Sequence, residues 1–136
     1  MLRARVLNPI GVPASGLRWG ANTYRPEPIG GATRRAINST IYASIDTMAR
    51  VGLMLARGGQ WRTTQVVPRD YVQRAAKVPD PLVRLGTAAD YEPGTPYPTQ
   101  HYGLLFWNNA DGAMPGLPTE AFWAWGLDDA LIVVRA

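Results

Sequence analysis

The sequence predicts an α/β fold of the α+β type, with helices packed against an antiparallel sheet. Three observations carry that expectation. The stretch Ser44–Gly59 repeats apolar residues at helical spacing. From His101 onward, three short runs are rich in β-branched and aromatic residues. Turn formers separate those runs, which suits a meander better than a chain of βα units. With 136 residues, one domain is expected rather than two.

Taken in order, residues 1–38 read as irregular, because "NPIGVPASG" and "YRPEPIGG" place a turn former every few positions. In the helix that follows, Ser44 supplies an N-cap hydroxyl for the free N–H groups of the first turn. Asp46 suits the positive end of the helix dipole. Ile45, Met48, Val51, Gly52 and Leu55 form the expected buried stripe. Arg57 fits the C-terminal turn, and Gly58-Gly59 offer a left-handed exit. A shorter helix is expected from near Pro68, stopping before Pro79. Lys77 to about Gln100 is a long Pro-, Gly- and Asp-rich loop. The expected strands are His101–Trp107, Glu120–Gly126 and Ala130–Ala136. "NNADG" makes the first turn, and "LDD" makes a tight connection between the last two strands.

Composition excludes several functions. Without cysteine there is no disulfide, thiolate metal site or cysteine nucleophile. His101 is the only histidine, so a metal site built on several imidazoles is also excluded, and no metal or other cofactor is expected. Net charge is +4, and Lys77 is the only lysine. The arginines are scattered, with no run longer than Arg34-Arg35, which reads as a solvated surface and not as a nucleic-acid face. "MLRARVLNPIG" lacks a leader's apolar core, and no run reaches the ~20 apolar residues of a membrane span. The chain as given is therefore expected to be cytoplasmic, without excluding a periplasmic or secreted full-length relative.

The stretch "STIYASIDTMARVGLMLARGGQWRTTQVVPRDYV", followed by "YGLLFW" and "AFWAWGLDDALIVV", resembles the serine β-lactamase-like family. Class C-like esterases, D-aminopeptidases and other amide hydrolases, akin to the penicillin-binding proteins, belong to it. The likeness runs over residues 39–136 and corresponds to the C-terminal half of such an enzyme. It implies a partial β-lactamase/transpeptidase-like domain, occupying residues 1–136 with an irregular segment at 1–38. It also implies a chemistry, hydrolysis of an amide or ester through an acyl-serine. In the family, a lysine one turn after the serine faces the same way and can take the hydroxyl proton. A tyrosine assists, and a Lys/His-Thr/Ser-Gly strand lines the site.

Those catalytic parts are missing here. No Ser-x-x-Lys occurs, since three residues before Lys77 stands Arg74. The strand that matches the third motif by order reads Ala124-Trp125-Gly126. Gly126 fits the pattern, while Ala124 and Trp125 depart from it and leave no side chain to bind a substrate carboxylate. The backbone contribution survives: the N–H of Leu127 would be the oxyanion donor carried over from the family. The resemblance thus gives no catalytic residue, and Ala124, Trp125, Gly126 and Leu127 as the substrate-binding wall.

Other candidates have plainer roles. Ser44 in "YAS" reads as a helix cap, and Ser15 and Ser39 as loop hydroxyls. Asn38-Ser39-Thr40 matches the glycosylation pattern but lacks a secretory context. His101 reads as a strand-start residue and Asp128-Asp129 as turn formers. Alternation puts Trp123 and Trp125 on one strand face, with Phe122 and Ala124 on the other, so the Trp pair is either core or an aromatic wall.

Two functions follow as expectations. The first is a fragment of a β-lactamase-related serine hydrolase, inactive alone, that takes a small amide or ester. The alternative is a non-catalytic binding module using a Trp-lined hairpin. In the family, N-terminal strands and a C-terminal helix complete the sheet. Unpaired edges, an uncovered apolar face, and either self-association or pairing with a missing N-terminal half are therefore expected.

Overall fold

Serine and glycine bound the principal helix, α1 (Ile45–Ala56), as the sequence predicts. The Thr47 N–H donates to Ser44 Oγ at 3.2 Å, satisfying one of the free donors of the first turn. At the other end Gly58 and Gly59 adopt φ of +62° and +84°, and the Gly59 N–H returns to the Met54 carbonyl at 2.9 Å. Of the expected stripe, Leu55 is buried and Met48, Val51 and Gly52 are half-buried, whereas Ile45 is 86% exposed and Thr47 and Met54 are buried outside it. Thr47 tolerates burial because its hydroxyl donates to the Gly16 carbonyl at 2.9 Å, so no polar group is left without a partner.

The computed structural model describes residues 1–36, 40–78, 101–112, 114–126 and 130–135. By its contacts the chain forms two compact units, Met1–Arg50 and Val51–Ala136, with the boundary inside α1. Helices and antiparallel sheets together make it a mixed α+β structure. Among the described residues no helix is long and apolar enough to cross a membrane.

In Met1–Arg50, the expected irregular segment holds a π-type turn, Arg3–Leu7, and a two-stranded antiparallel ribbon. The ribbon pairs β1 (Leu17–Trp19) with β2 (Ile41–Ala43), with Arg18 opposite Tyr42. Side chains fasten the rest. Arg3 donates to the carbonyls of Pro13, Ala14 and Leu17 at 3.2–3.3 Å. Arg35 donates to the Trp19 carbonyl at 2.6 Å, and Trp19 Nε1 to the Ala36 carbonyl at 2.6 Å. Arg50 reaches the Ile10 carbonyl at 3.1 Å and pairs with Asp46 at 2.7 Å.

In Val51–Ala136, α1 is followed by a tight hairpin of β3 (Gln60–Trp61) and β4 (Thr64–Gln65). Gln65 Nε2 locks it by donating to the carbonyls of Gly58 and Val67 at 2.7 and 2.6 Å. Gly59 is required there, because a Cβ would run into the Val67 carbonyl. Helix α2 (Arg69–Ala75) begins after Pro68, as expected, and buries Val72 and Ala75. Its outer face carries the Asp70–Arg74 pair at 3.6 Å. From residue 79 to residue 100 the expected long loop lies outside the described residues.

Four strands complete the unit in the order β5 (Tyr102–Gly103), β6 (Phe106–Asn108), β7 (Phe122–Trp125) and β8 (Leu131–Val134), all antiparallel. The single strand expected over His101–Trp107 is instead a hairpin. Leu104 and Leu105 form its turn at φ of +49° and +70°, the mirror-image turn that matches strand twist. Ordinarily glycine or asparagine occupies such positions, which is why the sequence gives no sign of it.

Candidate functional site

The candidate wall lies at the end of β7, between β6 and the edge strand β8. Trp123 stands opposite Trp107 on one side and Val133 on the other, while Ala124 faces Ile132 and Trp125 faces Leu131. The connection closes where the Gly126 N–H donates to the Ala130 carbonyl at 2.8 Å. Leu127, whose N–H the resemblance implies as an oxyanion donor, lies outside the described residues, and so do Asp128 and Asp129.

Alternation along β7 sorts the wall residues by face. Phe122 and Ala124 share a face with Ile132 and Val134. Helix α1 meets that face, since a Cβ on Gly52 would stand 3.2 Å from Ile132 Cγ2. Phe122 is 1% exposed and meets Phe106 edge-on at 5.3 Å between ring centroids. The opposite face carries Trp107, Trp123, Trp125, Leu131 and Val133. There the two tryptophans divide. Trp123 is 7% exposed, whereas Trp125 is 53% exposed and stands with half-exposed Leu131 and Val133. The paired Trp wall is therefore reduced to one exposed ring, with its neighbour in the core.

Trp125, Leu131 and Val133 stay about half exposed, side by side on one face of the sheet. β5 and β8 are its edges among the described residues. Gly126 has room for a side chain: a Cβ there would meet the Ala130 carbonyl oxygen at 3.6 Å and its Cβ at 3.7 Å, ordinary contact distances. Packing among the described residues does not demand glycine at this position.

The remaining sequence candidates separate cleanly. Ser44 caps α1. Ser15 is an exposed residue of the short 3₁₀ turn Ala14–Gly16. Ser39 and Asn38 lie outside the described residues. His101 is 6% exposed, just before β5, with Nδ1 3.4 Å from Asp111 Oδ1. A histidine held by a carboxylate is half of a nucleophile-activating arrangement, but no serine follows Ser44 in the chain, so Val51–Ala136 offers it no serine hydroxyl.

Sequence reasoning missed Asn108 and Asn109, both fully buried. Asn109 accepts from the Met114 N–H at 2.8 Å and donates to the carbonyls of Met114 and Leu117 at 3.2 and 2.9 Å. It fastens the loop that delivers the chain into β7. In sequence "NNADG" reads simply as a turn, because burial of an asparagine depends on partners several residues further on. Compared with known proteins, the chain matches no family model, no curated protein and no solved structure.

Proposed function

We propose that this chain is the substrate-wall half of a β-lactamase-related serine hydrolase, which binds a small amide or ester and has no catalytic power of its own. The observation that carries the reading is the end of β7. There an exposed aromatic, Trp125, is followed by a glycine that local packing does not require. A substrate lying against the backbone gives such a glycine a reason, because close approach favours the residue without a side chain. The motif order quoted above supports the same placement.

Inactivity follows from chemistry. An acyl-serine step needs a hydroxyl with a base to take its proton, and no serine in the 136 residues stands three before a lysine. The Trp125–Leu131–Val133 face is the surface that the rest of such a domain, or a second copy, would cover.

Two readouts test the proposal. A fluorophosphonate probe followed by intact mass should leave no adduct, and p-nitrophenyl butyrate should not be turned over. A single serine adduct would overturn the inactivity. N-butyl hexanamide should quench tryptophan fluorescence saturably, and Trp125→Ala should abolish the quenching. Quenching unchanged in that variant, or none in the parent chain, would remove Trp125 from the wall.

A further inference from the structure

A cleft of about 1010 Å³ opens in Val51–Ala136. Phe122, on the opposite face of β7 from Trp125, forms part of its lining, so it is separate from the wall just described. Leu55 and Val72 join Phe122 there, and all three are buried. Around these residues stand Arg57, Arg62, Arg69 and Lys77, with Glu120 the one carboxylate among the described residues of the lining. Among the described residues none of these four cations enters an ion pair. Arg74 of the same helix α2, by contrast, is paired with Asp70.

Local structure fixes the backbones that carry these cations. Arg57 closes α1, immediately before the two left-handed glycines. Arg62 occupies the β3–β4 turn at φ +52°, in the segment that Gln65 locks. The guanidinium of Arg69 lies over Gly58, with Nη1 3.3 Å from where a Cβ on that glycine would stand. Like charges lining one cleft repel one another, and low-dielectric walls concentrate their field. An oxyanion would relieve the repulsion, since three of the four are planar guanidinium forks suited to bidentate pairing with carboxylate or phosphate.

We infer that this cleft binds a small amphiphilic oxyanion, a carboxylate or phosphate ester whose head pairs with Arg57, Arg62 and Arg69 and whose apolar body lies on Leu55, Val72 and Phe122. The size fits, because small-molecule sites run from about 300 to about 1,000 Å³. The inference is independent of the hydrolase reading.

Titration calorimetry on the full chain at low salt, with octanoate, octyl phosphate and octanol, tests it. One or both anions should bind one-to-one, and octanol about tenfold more weakly or worse. The anion that binds more tightly identifies the head group. Its affinity should fall as salt rises from about 50 to about 500 mM, since the pairing is exposed to screening. Arg57→Gln/Arg69→Gln should weaken it about tenfold or more, with an unchanged circular dichroism spectrum. Should that variant fail to fold, Arg62→Asn decides, because asparagine tolerates the left-handed backbone while removing the charge; a loss of about threefold or more is expected. Trp125→Ala should leave binding intact. Failure of both anions to bind, equal binding of octanol, or undiminished affinity in the arginine variants would each overturn the inference.

Discussion

In Met1–Arg50 the guanidinium groups of Arg3, Arg35 and Arg50 donate to backbone carbonyls, up to 40 residues away in sequence. In Val51–Ala136, Arg57, Arg62 and Arg69 line a cleft and bracket no carbonyl among the described residues. The difference follows from secondary structure. In the second unit a four-stranded sheet, a hairpin, helix α2 and the C-terminal part of α1 pair main-chain groups with one another. Apart from the start of α1, the first unit has a three-residue ribbon and short turns among the described residues, and carbonyls left over there find side-chain donors. Arginine, with five donors and long reach, meets that need. The same residue type therefore serves structure in one region and is left free for a ligand in the other.

The largest effects that sharpen this contrast fall in the second unit, on residues other than its arginines. Gly59→Ala forces a Cβ against the Val67 carbonyl at φ +84°, and a loss of about 3 kcal/mol in urea unfolding is expected. Asn109→Ala removes the partner of the Met114 N–H and of the part-buried Met114 and Leu117 carbonyls and should cost about 2 kcal/mol, with faster amide exchange at Met114. An intermediate effect belongs to the first unit. Arg50→Gln loses the bond to Ile10 and the half-exposed pair with Asp46, for about 1 kcal/mol. A gain of similar size should come from Leu104→Asn/Leu105→Gly, which relieves two leucines at positive φ and should raise stability by about 1–2 kcal/mol. Smallest is Arg57→Gln, which should stay within about 0.5 kcal/mol of the parent chain. A loss as large as that of Arg50→Gln would erase the contrast.

Elements governed by local chemistry were legible in the sequence. The Ser44 cap, the Gly58-Gly59 exit and the Pro68 start of α2 each depend on neighbours within a few residues. Features settled by distant partners were not. Thr47 displaces Ile45 from the buried stripe because Gly16, 31 residues earlier, accepts its hydroxyl. Alternation correctly puts Trp123 and Trp125 on one face, yet it cannot say that the sheet covers the first and leaves the second at its exposed end. The turn at Leu104-Leu105 contradicts the usual turn residues and so left no signal. As for the sites, the end of β7 was legible as a strand running into a glycine. The basic cleft was not, because its cations come from a helix end, a hairpin turn and a second helix that are scattered in sequence.

The most direct measurement compares urea unfolding of the parent chain, Arg50→Gln and Arg57→Gln/Arg69→Gln, each with and without octanoate. Urea suits the purpose because, unlike guanidinium, it does not screen charge. A ligand that binds only the folded state adds stability. The account predicts that Arg50→Gln lowers the midpoint but keeps the octanoate increment, and that the double variant keeps the midpoint but loses the increment. If the double variant instead lowers the midpoint and keeps the increment, the arginines of Val51–Ala136 are structural and the division of labour between the two units is contradicted.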